Sequence, residues 1–145
     1  MFKACMIPIV LLLCVFSVIG KPNDTGPQAA NPDSVTIPPE VAHQSNPIKA
    51  TPESLARGKK YYSYDCALCH GESGDGKTDV AIDEKLKLKD LSDPATLKDR
   101  TDGELFYLIQ HGRGHMPMEQ KGRLTSTEVW SLVNYIRSLS QKAAH

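Results

Sequence analysis

The stretch "CALCHG", Cys66–Gly71, poses the question on which the fold turns. Two cysteines three positions apart are followed at once by a histidine. Far upstream, "MFK" and the charge-free run "ACMIPIVLLLCVFSVIG" read as an export address, either a signal peptide cleaved before Lys21 or a retained N-terminal membrane anchor over residues 1–20. Cys5 and Cys14 belong to that segment. An exported chain enters a compartment where thiols oxidise, so something must hold the sulfurs of Cys66 and Cys69.

A mutual disulfide would leave His70 without a role. A thioredoxin-like redox pair expects a βαβ pattern around it, and none is written here. Zinc is the sharpest rival, since His111 and His115 could complete a Cys2His2 set. The two halves of that set lie much further apart than finger spacing allows. Cys-x-x-Cys-His is also the signature of covalent haem attachment. Two thiols at this spacing on a turn at a helix end reach the two vinyl positions of one porphyrin edge, and the next imidazole then stands over the ring. Cys66 and Cys69 are thus expected as thioethers of one haem c, with His70 as the proximal iron ligand. Sulfurs held as thioethers are no longer free to oxidise.

A small domain with few large apolar residues needs such a guest. Beyond residue 20 the chain keeps one phenylalanine (Phe106), one tryptophan (Trp130) and five tyrosines. The folded part is expected over residues 51–145, with three main helices and no sheet. Thr51 caps the first, with Pro52 at the first helical position. Leu55, Gly58, Tyr61 and Tyr62 follow at helical spacing. Gly58 in mid-helix is unfavourable by about 1 kcal/mol relative to alanine, which points to close approach by another element. Thr101 with Glu104, and Thr125 with Glu128, write capping boxes for the second and third helices. Leu105, Leu108 and Ile109 form the buried stripe of the second; Val129, Leu132, Val133, Ile136 and Leu139 form that of the third. The long intervening stretches "ESGDGKTDVAIDEKLKLKDLSDPATLKD" and "GRGHMPMEQKGR" need an object to wrap.

Haem iron also requires a sixth ligand or an open position. The second loop offers Met116 and Met118, with His111 and His115 as competitors. Pro117 stiffens the chain after Met116, and Gly112 and Gly114 let the loop pass close to a flat ring, which favours Met116. A His/Met pair raises the reduction potential relative to two nitrogens.

Composition excludes other roles. Lys plus Arg and Asp plus Glu both number 17 in the 145 residues, so no large field invites nucleic acid or another polyanion. Residues 21–52 hold seven of the ten prolines and exclude regular helix or central strand. Residues 21–50 therefore read as a linker, whose later part "TIPPEVAHQSNPI" is a candidate docking strip. Arg113, Lys121 and Arg123, with Lys59, Lys60 and Lys77, would form a basic collar for an acidic partner. Arg113 and Trp130 are candidates for a haem propionate.

From Thr51 to Leu139 the chain resembles the class I c-type cytochromes, small all-α mono-haem electron carriers. "GKKYYSYDCALCHG" is similar to the family's first helix entering the haem motif, "GRGHMPM" to its distal Met-Pro loop, and "EVWSLVNYIRSL" to its C-terminal helix. The resemblance places the distal ligand on Met116, and brings Leu132 and Tyr135 across the first helix near Gly58 and Tyr62. It implies electron transfer between respiratory or dehydrogenase partners, without a substrate reaction of the protein's own. The lead-in "SNPIKATPES" is similar to bacterial haem domains of respiratory oxidases and quinol-oxidising complexes, which makes a subunit of a larger complex the alternative to a free carrier. Exported or periplasmic placement follows, soluble or tethered at the N-terminus. One departure stands out: many relatives have a proline whose carbonyl accepts the proximal histidine's Nδ1–H. Here "DEKLKLKDL" has none, Leu88 sits near that place, and a backbone carbonyl of this stretch is expected to serve instead.

Overall fold

Side-chain caps and one glycine organise the fold. The computed structural model describes residues 35–120 and 122–142. The export address, the first part of the proline-rich segment and Lys121 lie outside the described residues. Among those residues there are seven helices and no strand: α1 (Pro39–Ala42), α2 (Pro52–Asp65), α3 (Ala67–His70), α4 (Asp79–Asp83), α5 (Pro94–Leu97), α6 (Asp102–His111) and α7 (Ser126–Lys142). The three long ones, α2, α6 and α7, are the three expected. Among the described residues the architecture is all-α, as the sequence led one to expect. No helix among the described residues is long and apolar enough to cross a membrane.

Thr51 Oγ1 accepts the Ser54 N–H at 3.3 Å, and Ser54 Oγ accepts the Thr51 N–H at 3.0 Å, so α2 opens on a reciprocal cap. Thr101 and Glu104 do the same for α6, and Thr125 and Glu128 for α7. Each such cap contributes about 1 kcal/mol.

Ser54, Gly58 and Tyr62 form the buried row of α2, four residues apart. This row packs on α7. A Cβ on Gly58 would stand 2.1 Å from the Ser131 carbonyl oxygen and 2.7 Å from Tyr135 Cβ, so only glycine lets the two backbones approach this closely. The Ser131 carbonyl, rather than Leu132, is the nearest group to the glycine. The Tyr62 and Tyr135 rings follow along the same seam with centroids 5.2 Å apart.

Val129, Leu132, Val133, Ile136 and Leu139 of α7 are buried as the pattern predicts, each contributing about 1.5–3 kcal/mol of transfer free energy. On α6, Leu105, Phe106 and Ile109 are buried, and Phe106 stacks on Trp130 at 4.1 Å. Leu108, expected in that buried stripe, is only half-buried and faces the cavity described below. The difference follows from the helix period, which carries Leu108 off the α7 seam.

The segment "TIPPEVAHQSNPI", expected to hold no helix, contains the single turn α1, which Pro39 can open because its missing N–H costs nothing at the first helical position. The segment lies across α6 and α7 of its own chain. Thr101 Oγ1 donates to the Ala42 carbonyl at 2.6 Å, and a Cβ on Gly103 would stand 1.9 Å from the Val41 carbonyl oxygen. Asn46 Nδ2 donates to the Trp130 carbonyl and to Asn134 Oδ1, both at 2.9 Å, while Asn134 returns a bond to the Ile48 carbonyl.

Candidate functional site

Helix α2 ends at Asp65 because Cys66 turns to φ −108° and ψ −37°, and the single turn of α3 then carries Ala67 to His70. Three successive carbonyls at the end of this turn are fixed from different directions. Thr78 donates to Cys69 O at 3.2 Å, the Gly76 N–H donates to His70 O at 2.8 Å, and the buried Tyr62 hydroxyl donates to Gly71 O at 2.8 Å. The His70 backbone is therefore held before any guest is considered. The Tyr62 hydroxyl is a contact the sequence does not disclose, since a tyrosine at this spacing reads only as core.

Beside this turn opens a cavity of about 430 Å3, within the range of small-molecule and cofactor sites. Tyr62, Cys66 and His70 form one part of its wall. Leu97, Leu105, Leu108, Ile109 and Ile136 supply apolar surface, and Arg113, His115 and Met116 come from the loop after α6. Cys69 is half-buried next to His70, outside the wall, and neither Cys66 nor Cys69 is in a disulfide. Met118 points away and is 66% exposed, against a half-buried Met116. His111 is exposed: its Nδ1 lies 2.9 Å from the Tyr107 carbonyl and its ring stacks on Tyr107. No group of three or more His, Cys, Asp or Glu among the described residues is placed to hold a metal ion.

Met116 is positioned by a narrow reversal. Arg113 and Met116 exchange both backbone hydrogen bonds at 2.9 Å around Gly114. Gly112 ends α6 at φ 72° and ψ 176°. That combination is open to glycine and almost nothing else, and it differs from the left-handed helical cap common after helices. A Cβ there would stand 2.5 Å from the Met116 carbonyl oxygen.

The electrostatics suit a sheltered, neutral ligand set. Burial pushes the Cys66 thiol up to about 12, with Asp65 and Glu119 adding to the effect. A redox dithiol depends on a lowered thiol pKa, so this environment is the opposite of a thioredoxin site. Burial also pulls the His70 imidazole below its ordinary value, favouring the neutral ring that can ligate a metal. His70 Nδ1 is buried without a hydrogen-bond partner. No carbonyl of "DEKLKLKDL" reaches it, contrary to the sequence expectation. Instead the stretch runs as a rim, with Leu86 and Leu88 half-buried and Lys85, Lys87 and Lys89 exposed. Together with Arg100 and Arg113 these lysines give the cavity lining five Lys or Arg residues and no Asp or Glu. Trp130 is buried against Phe106, away from the wall.

Comparison with known proteins decides the family. The family described as cytochrome c oxidase, cbb3-type, subunit III, matches residues 53–136. Cytochrome c6 of Pyropia tenera is 32% identical over 88 residues, covering 61% of this chain and 95% of that protein. The chain belongs to the class I c-type cytochromes. The cbb3-type cytochrome c oxidase subunit CcoP of Azospirillum sp. (strain B510) is 27% identical over 104 residues, covering 63% of this chain. The cytochrome spans only 32% of that subunit's length. Among solved structures, the KustC0563 c-type cytochrome is 32% identical with a TM-score of 0.50, covering 57% of this chain and 95% of its own. As a class I cytochrome the protein carries covalently bound haem c and transfers electrons. The apolar cavity, the buried imidazole that burial keeps neutral, and the Met116 sulfur on the same wall all fit such a group.

Proposed function

We propose that Cys66 and Cys69 hold the haem through thioether bonds and that His70 and Met116 are its axial ligands. The observation that carries this reading is convergence: Cys66, His70 and the half-buried Met116 line one cavity, on whose wall His115 is exposed, while Met118 and His111 turn away from it. When bound, the haem supplies one-electron iron chemistry. The protein's part is to hold both ligands still, so that little reorganises as the charge changes. Tyr62, Gly76 and Thr78 fix the backbone around His70, and the Arg113–Met116 reversal fixes the other ligand. Apolar walls exclude water and disfavour the extra positive charge of the ferric state. Arg100 and Arg113 on the cavity wall provide cations for the haem carboxylates.

The protein acts in this reading as an electron carrier between redox partner proteins, with no substrate reaction of its own. A second reading is favoured by the family match to a cbb3-type oxidase subunit and by the likeness to CcoP: the domain serves as a haem subunit of a larger quinol- or cytochrome-oxidising complex. In both, residues 1–20 direct export to the periplasmic side, as a cleaved signal or a retained anchor. The haem domain follows the proline-rich linker.

Met116→Ala tests the ligand set. It should abolish the weak ferric charge-transfer absorption of sulfur ligation, whereas Met118→Ala should leave it intact. The reverse result would move the ligand role to Met118.

A further inference from the structure

The loop that carries Met116 is bound at its far end by one side chain. Arg123 Nη2 lies 3.0 Å from Asp65 Oδ2 and closer still to Glu119 Oε2. Asp65 is the residue before Cys66, and Glu119 follows Met116 by three positions. One guanidinium thus joins the haem-attachment segment to the methionine loop. The Glu119 N–H also donates to the Ile109 carbonyl at 3.1 Å, tying the same residue to α6. The Glu119 side chain is only 11% exposed, and its second oxygen, Oε1, is buried without a hydrogen-bond partner. Sequence reading had placed Arg123 in a basic collar for a partner; its charge is instead spent within the chain.

We propose that Arg123 is a positioning residue that clasps the methionine loop to the haem-attachment segment and keeps the distal side of the haem closed. The inference rests on Met116 being the distal ligand. Its physical basis is the cost of leaving a mostly buried carboxylate without its counter-charge. With Arg123 removed, Glu119 gains solvation by turning outward, and the loop that carries Met116 turns with it. An exposed ion pair would do little. Here one cation serves two carboxylates, one of them mostly buried, so the effect on loop opening should be about tenfold.

The test uses the matured holoprotein, with carbon monoxide as probe of an open ferrous iron and the ferric sulfur absorption as probe of the closed loop. Arg123→Gln should speed carbon monoxide association about tenfold and weaken the sulfur absorption. Arg123→Lys should restore most of the wild-type behaviour. Adding Glu119→Gln to Arg123→Gln should bring the rate back toward wild type, because the stranded charge is gone. Asn46→Ala, which loosens the N-terminal strip on α7, serves as a control for general destabilisation and should leave the rate unchanged. Equal rates in wild type and Arg123→Gln, or equal acceleration by Asn46→Ala, would overturn the clasp. If Arg123→Gln does not mature, Arg123→Met strands the Glu119 carboxylate in the same way, and an unchanged rate there would also overturn it. Met116→Ala separates the two ideas: retention of the sulfur absorption there refutes the ligand assignment, independently of Arg123.

Discussion

The α2–α7 seam and the loop from Gly112 to Arg123 both depend on glycine, yet they are built from different forces. At the seam, Gly58 lets a backbone carbonyl and Tyr135 press directly on α2, and apolar burial holds the joint. In the loop there is little to bury: Arg113, Met116 and Glu119 are half-buried and Gly114, His115, Pro117 and Met118 are exposed. Its shape comes from a backbone reversal, a glycine-only conformation and the Arg123 bridge. Burial tolerates sliding by small amounts and fails by collision. A loop held by directed polar contacts fails when one contact is withdrawn. The scaffold should therefore lose stability when it is broken, and the loop should lose the proposed ligand while the helices persist.

The largest effect is expected at the seam. Gly58→Ala places a methyl group against the Ser131 carbonyl, which cannot move without displacing α7. A loss of about 3 kcal/mol or more is expected, read as a large fall in thermal midpoint. Gly112→Ala comes next and sharpens the contrast. Its backbone strain should cost about 1–3 kcal/mol, and the collision with Met116 should weaken the sulfur absorption while far-ultraviolet helical signal is kept. Equal loss of helix in both variants would show that loop and seam are one unit.

Tyr62→Phe tests the joint between scaffold and site. It removes the hydroxyl from a buried carbonyl, Gly71 O, while keeping the ring against Tyr135. A loss of about 1–3 kcal/mol is expected in chemical denaturation, with the ligand absorption retained.

The smallest effect lies at the rim of the seam, where the Tyr61 hydroxyl donates to Glu128 and Thr125 adds its N–H and hydroxyl. The Tyr61 hydrogen bond, then those from Thr125, hold the Glu128 carboxyl down at about 2, below its ordinary 4.5. A depressed carboxyl stabilises the fold fully above pH 4.5 and loses that contribution as pH falls through about 2. The difference in thermal midpoint between wild type and Glu128→Gln should thus be constant above pH 5 and narrow between pH 4.5 and 2. A gap that stays constant across that window would remove Glu128 from the acid response.

Much of this was legible in the chain. Thr51, Thr101 and Thr125 mark helix starts because capping is a local matter of three or four residues. The apolar spacing of α7 marks a buried helix because the period is local too. Gly58 could be read as a contact point, since a costly residue in mid-helix requires a reason. The motif at Cys66–His70 and the Met-Pro pair at Met116 could be read as candidates, and Cys66, His70 and Met116 meet at one cavity. The destination of "TIPPEVAHQSNPI" was not legible, because Asn46 finds Trp130 and Asn134 only after the chain has folded back. Nor was the rim role of Lys85–Lys89, or the failure of any carbonyl there to reach His70 Nδ1.

The sequence by itself determined the three long helices, their caps and the glycine-dependent crossing, because each depends on neighbours within a turn or two. Tertiary structure alone decided that Tyr62 secures the carbonyl of Gly71, that Asn46 ties the N-terminal strip to α7, and that Arg123 joins residues 65 and 119. Those outcomes depend on where distant segments meet, and no local rule carries that information.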